Sequence, residues 1–220
     1  LSARYCDILK DTLYVEAGAG ARRRSAQTAL WELALALTKL AAPILAFTCD
    51  EVWDHLAARA LGDNGATVPS VHLALMPAPR PQRLQPRLAA QFDQLWRVRD
   101  DVLRALEALR KRGAIGAGLD ADVALWTDDT ALTAVLHAHA ASLPRLFIVS
   151  RVEVAAAAGP EWQHGHTLPT LRLDVRPARG RKCARCWNYT DDVDAGAAPT
   201  DVCQRCRNVM RGGAADAISI

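Results

Sequence analysis

The sequence has no apolar run long enough to cross a bilayer. Its longest, around "LAAPILAF", falls well short of the ~20 residues a spanning helix needs, so no transmembrane helix is expected. It also lacks a basic start leading into an apolar stretch and a small-residue cleavage site, and it opens on Leu1 in "LSARYCDILKDTLY". The expectation is a soluble, non-exported, cytoplasmic chain cut from a longer polypeptide. Lysine is scarce, occurring only at positions 10, 39, 111 and 182 among 27 basic residues, and this reads as GC-rich coding before it reads as a preference for arginine. Net charge is only +3, so overall balance makes no case for a nucleic-acid partner and local placement must carry it. No internal repeat occurs, and no low-complexity segment beyond short alanine runs. What is present is a globular balance: half of the 220 residues are hydrophobic and 23% are charged, which excludes wholesale disorder and leaves room for two or three units.

The first part of the chain carries a helical period. Leu30, Leu33, Leu37 and Leu40 recur at three and four, continuing through Ile44 and Phe47, and predict an amphipathic helix over 22–40 facing a core. Pro43 ends or kinks it. "TCDE" then reads as a capping box, with Thr48 as N-cap and Glu51 at its third position, opening a second helix ahead of Val52, Trp53 and Leu56. Residues 60–83 are rich in glycine and proline and read as a connection with a short extended piece at "SVHLALM". A long helix follows over 86–112, with Leu88, Phe92, Leu95, Val102, Leu106 and Leu109 on one face and Gly113 as its stop. Beyond Gly118 the period changes. "DADVALWTD", "RLFIVSRVEVA" and "TLPTLRLDVRPA" read as strands and "DTALTAVLHAHAASL" as a helix, which makes a small α+β unit.

The four cysteines in the order Cys183-x2-Cys186-x16-Cys203-x2-Cys206 are the strongest chemical signal. Each x2 turn directs two sulfurs at one point and the loop brings the second pair round, the spacing of a tetrahedral four-thiolate zinc site. Disulfides are disfavoured in a chain with no sign of export. A thioredoxin-like pair would need only one such motif, placed after a strand and opening a helix. Four protein ligands close the coordination sphere, so one structural zinc ion is expected, with no position for an activated water. Around the ligands lie Arg179, Arg181, Lys182, Arg185, Arg205, Arg207 and Arg211, with Trp187 and Tyr189 beside the first pair. Cations neutralise phosphate and exposed aromatics stack on unpaired bases. The bland alternative is that Trp187 packs under the knuckle and the arginines are a solvated face, and the residue pattern leaves both open.

Three stretches together, "KCARCWNYTDDV" with "DVCQRC", "ARRRSAQTALWELALALTKLAAPILAFTCDEVW" and "VRDDVLRALEALRKRGAIGAGLDADV", resemble the C-terminal part of bacterial isoleucyl-tRNA synthetases. The resemblance runs through nearly all of the chain. It implies a mainly α protein: a helical-bundle anticodon-binding domain over 1–112, a small α+β subdomain over 113–178 and a four-cysteine zinc-binding tip over 179–220. It implies tRNA(Ile) and the remainder of the synthetase polypeptide as partners, a monomer, and no membrane. ATP is a substrate of the whole enzyme and is not bound here, because the nucleotide-binding domain with its HIGH and KMSKS signatures and the editing domain lie outside this chain. "HGH" at 164–166 is one residue short of a HIGH signature. Residue by residue, the resemblance makes Cys183, Cys186, Cys203 and Cys206 the zinc ligands. It makes Arg22, Arg23, Arg24, Lys182, Arg185, Trp187 and Arg205 candidate tRNA contacts, and no residue catalytic. Three arginines opening a helix oppose its macrodipole, a local conflict that a bound phosphate would relieve.

Two other readings compete. A formamidopyrimidine-type DNA glycosylase has the same cysteine spacing, but its N-terminal Pro-Glu pair and helix-two-turns-helix are not seen here. A stand-alone zinc adaptor for another protein would show no salt-dependent affinity for nucleic acid. Cys6 and Cys49 are expected to be small buried hydrophobes, and Trp53 and Trp96 to be core. Asp50, Glu51 and Asp54 are expected to serve capping and the helix dipole. His137 and His139, two apart on a helix, cannot share a face for a metal.

Overall fold

A computed structural model describes residues 2–56, 68–194 and 201–212. The start of the expected glycine- and proline-rich connection, residues 60–67, lies outside the described residues, as do 195–200 and 213–220 of the expected tip. The chain forms two compact units, one of Leu1–Gly20 with Gln85–Ser219 and the other of Ala21–Leu84. They do not follow chain order: the first helix and the long helix from residue 86 belong with the α+β segment and the cysteines, while residues 21–84 stand as a unit by themselves.

After a π-helical turn over Ser2–Cys6, helix α1 spans Asp7–Tyr14. Cys6 is exposed, unlike the buried thiol expected there. In the second unit, α2 covers Ala21–Ala41 and α3 covers Ala46–His55. Helix α3 begins two residues before Thr48, with Leu45 at its N-cap and no capping side-chain bond, so the capping box is not formed. Leu45 still accepts from the Cys49 backbone N–H at 2.9 Å, and the apolar residues of "ILAF" are drawn into the helix ahead of the polar cap. Asp50 caps another element: it accepts from Ser70 Oγ at 2.6 Å and from the Val71 N–H at 3.1 Å, holding a 3₁₀ turn over Val71–Leu73 where an extended piece was expected. The core here is small: Ala42, Cys49, Trp53 and Val71, with Leu35 against it, and the Trp53 indole N–H donating to the Val68 carbonyl. The expected stripe of α2 is not on that core. Leu37 and Leu40 are half exposed, and Phe47 is 93% exposed.

In the first unit α4 runs from Pro86 to Lys111, with proline in its first turn where no N–H is needed and Gly113 in the left-handed region at its end. It buries Leu95, Val98, Val102, Ala105 and Leu106. That face lies on a sheet of order β2-β1-β4-β3, built of β1 (Ala121–Thr127), β2 (Arg151–Val154), β3 (Gln163–His164) and β4 (Leu171–Pro177). Strand β4 is antiparallel to β1, pairing Val123 with Val175 and Leu125 with Leu173, and β2 is parallel to β1. The parallel pairing requires a crossover, supplied by α5 (Thr130–Ala138) and α6 (Leu143–Phe147). The first half of "RLFIVSRVEVA" is therefore a helix and not a strand. Pro144 sits in its first turn, Leu146 and Phe147 are buried, and Ile148 turns the chain out at φ 59°.

One buried carboxylate organises the loop between β3 and β4. Asp101, on α4, accepts the backbone N–H groups of His166, Thr167 and Leu168 at 2.9, 2.7 and 3.0 Å. At Gly165 a β-carbon would stand 2.5 Å from that carboxylate, so only glycine fits. His164 is tied to Arg172 and the Pro169 carbonyl, away from the cysteines.

Candidate metal centre and nucleic-acid interface

The chain leaves β4 at Pro177 and forms a two-stranded ribbon, β5 (Arg181–Lys182) against β6 (Tyr189–Thr190). Gly180 admits it: φ is +88° and a β-carbon would lie 2.5 Å from the Thr190 carbonyl oxygen. The first cysteine pair is the tip of this ribbon. Cys183 N–H donates to the Asn188 carbonyl and Trp187 N–H to the Cys183 carbonyl, both at 2.9 Å, a knuckle that turns both thiols inward. The second pair opens α7 (Gln204–Met210), with Cys203 at the N-cap and Cys206 in the first turn. Arg207, 2% exposed, fastens this helix to the loop before it by donating to the Val202 and Asp192 carbonyls.

All four cysteines are buried and their sulfurs lie within 4.8 Å of one another. Cys186 Sγ and Cys203 Sγ are 3.7 Å apart. Sulfurs at the corners of a tetrahedron about zinc, each ~2.3 Å from the metal, stand ~3.8 Å apart, so this donor set fits the ion. Hydrogen bonds from Cys203 and Cys206 hold the Cys186 thiol well below its usual range, while the bond to Cys186 pushes Cys203 up to about 11. Zinc binds the thiolate form of cysteine, so its entry drives the protons off the cluster.

The surroundings divide sharply. Trp187, directly after the second ligand, is 62% exposed and held at φ 67°, a conformation that an L-residue adopts at a cost. Its indole therefore does not pack under the knuckle. Lys182 is exposed, 3.6 Å from Asp120 and over the Tyr189 ring at 5.8 Å. Arg185 and Arg205 are turned inward. Arg185 Nη1 donates to the Val15 carbonyl at 2.7 Å and approaches Cys206 Sγ at 3.6 Å. Arg205 grips both oxygens of Asp11 at 2.7 Å; burial opposes its charge, but that carboxylate outweighs burial and drives its pKa up. Arg181 pairs with Asp194 and Arg151 with Asp191. In the other unit Arg22, Arg23 and Arg24 occupy the first turn of α2, which contains no acidic residue; Arg24 is exposed. Sequence reasoning missed Asp11, Val15 and Glu16 altogether, since nothing in their local spacing announces a partner nearly two hundred residues away.

Residues 1–125 match the family described as the anticodon-binding domain of tRNA ligase, and the chain belongs to that family. Residues 180–209 match the zinc finger found in FPG and IleRS, and this match together with the cluster of Cys183, Cys186, Cys203 and Cys206 supports one structural zinc ion. The finger alone is shared with the glycosylase type; the anticodon-binding match separates the two. More particularly, the chain is similar to bacterial isoleucine–tRNA ligases: 40% identical over 216 residues to that of Desulforudis audaxviator, 37% over 212 to that of Thermotoga maritima and 39% over 213 to that of Geobacillus thermodenitrificans. In each case 96% of this chain and 22% of the relative are covered, so it spans about a fifth of the length of the curated relatives it matches. No helix among the described residues is long and apolar enough to cross a membrane.

Proposed function

We propose that this chain is the tRNA-binding region of an isoleucine–tRNA ligase, seating tRNA(Ile) while the remainder of the polypeptide joins isoleucine to it with ATP. The observation that carries the reading is Trp187: a large apolar ring held in solvent at positive φ by a metal knuckle, where folding alone would favour glycine. A base has a π-face that such a ring can stack on. Lys182, over the Tyr189 ring on the same ribbon, supplies a cation for phosphate, as do the arginines at the start of α2, where backbone N–H groups add to their guanidinium groups. Arg185 and Arg205 belong to the same contact set with the donors their internal partners leave over. The helical segment, the α+β segment and the tip act together on one monomeric, cytoplasmic enzyme, with ATP bound outside this chain. Catalysis has no residue here; the contribution is positioning, which holds the acceptor of the transfer in register.

Zinc chemistry enters only as a clamp: the ion fixes the knuckle, and the knuckle fixes Trp187. Substituting Arg22, Arg23 and Arg24 by glutamine one at a time tests the other arm. Each lost phosphate contact should flatten the salt dependence of tRNA affinity by roughly 0.7 to 0.9 in the log–log slope. An unchanged slope in all three removes the start of α2 from the interface.

A further inference from the structure

We propose that α1 and the residues after it are the clasp of the zinc centre: Asp11, Val15 and Glu16 hold Arg185 and Arg205 against the four cysteines, and metal retention depends on them. The finger match begins at residue 180, yet the cluster that buries the cysteines includes Val15, itself 8% exposed, beside Val193 and Val202. Both parts lie in one compact unit.

Charge explains the arrangement. Four thiolates around a divalent ion leave a buried site with two net negative charges, and a buried charge is stable only when compensated. Arg185 places one guanidinium nitrogen 3.6 Å from a ligand sulfur, and the same nitrogen is fixed by the Val15 carbonyl at 2.7 Å. Arg205, the residue before Cys206, is held by Asp11 through two parallel bonds of 2.7 Å, the geometry that orients a guanidinium most firmly. Glu16, 6% exposed, lies 4.0 Å from Arg205 and 3.6 Å from Arg145. Arg185 thus bridges a ligand sulfur and the Val15 carbonyl, while Arg205, next to Cys206 in the chain, ties the second cysteine pair to Asp11 and Glu16. A flexible arginine alone would compensate the charge intermittently; one tied to Asp11 does so permanently. These are positioning residues, acting on the metal through Arg185 and Arg205. The clasp requires no RNA and would persist in a chain that bound none.

Removing an outer-shell partner of a metal ligand typically costs 10- to 100-fold in metal affinity. The test is zinc release from the zinc-loaded chain to a chromogenic chelator, with cobalt substitution as a second readout. Asp11→Asn should release zinc at least about tenfold faster and shift the cobalt–thiolate absorption, and Asp11→Glu should restore much of the loss. Arg205→Lys, which keeps the charge but not the fork, should fall between. Asp7→Asn is the control: it makes the same charge change on the same helix, where Asp7 pairs with exposed Lys10 at 2.7 Å, and should release zinc at the wild-type rate. Release from Asp11→Asn within twofold of wild type would overturn the clasp. So would equal acceleration by Asp7→Asn, which would reduce the effect to net charge. Should Asp11→Asn fail to fold, the comparison of Arg205→Lys with wild type decides in the same way.

Discussion

Replacing Trp187 by glycine and, separately, by alanine distinguishes what the tip does from what holds it together. At 62% exposure nearly two-fifths of the residue is covered, roughly 95 Å², which at ~25 cal/mol/Å² is worth at most about 2.5 kcal/mol to folding. Both substitutions lose that. Only glycine also relieves φ 67°, which costs an L-residue about 1 to 2 kcal/mol, against about 0.5 to 1 kcal/mol for glycine's greater freedom when unfolded. The glycine variant should therefore be more stable than the alanine variant by about 0.5 to 1 kcal/mol in urea unfolding of the zinc-loaded chain. The reverse order holds at ordinary helix or strand positions. For tRNA the two should be equally impaired, by about 1 to 3 kcal/mol or roughly 5- to 150-fold in Kd, since both lack a ring to stack. Wild-type affinity in either zinc-loaded variant would show that the indole meets no base. An alanine variant more stable than the glycine variant would show that the left-handed turn is not what holds the ring in solvent.

Chelation gives a second prediction. Zinc contributes about 10 to 16 kcal/mol in finger peptides, comparable to the ~5 to 15 kcal/mol that holds a typical domain. Amides of 181–190 and 201–211 should therefore lose exchange protection on metal removal while β1 and β4 keep theirs, and unchanged protection at the ribbon would contradict this. A third concerns Asp101→Ala, which takes the acceptor from three part-buried backbone N–H groups; it should cost about 1 to 3 kcal/mol in urea unfolding, with Asp101→Asn costing less because one oxygen remains. A loss under 1 kcal/mol for the alanine variant would show that water replaces the carboxylate.

The clustering of the four cysteines was legible because a cysteine pair separated by two residues has few other uses in a chain of this kind, and α2, α4, β1 and β4 because of their apolar periods. What failed did so for particular reasons. "LFIV" has the composition of a strand, but Pro144 opens a helical turn and tertiary burial of Leu146 and Phe147 keeps it. Thr48 has the right neighbours for a cap, but the apolar residues before it fold into the helix. Leu37 and Leu40 repeat at the spacing of a core stripe, yet among the described residues that face is only half covered; periodicity marks a face without naming its partner. Arg207 looks like its basic neighbours in the sequence and is wholly internal, because a guanidinium can serve buried carbonyls as readily as phosphates. The carboxylates that grip the tip carry no signal at all, since the pairing of Asp11 with Arg205 exists only once the chain has closed on itself.

Recognition of isoleucine tRNA is the property on which the proposed function stands or falls. It is met most directly by titrating the zinc-loaded 220-residue protein against isoleucine tRNA, a non-cognate tRNA and an abasic-site DNA duplex at one near-physiological salt concentration. Tightest binding to isoleucine tRNA is the predicted result; tighter binding to the damaged duplex, or no preference among the three, would contradict it.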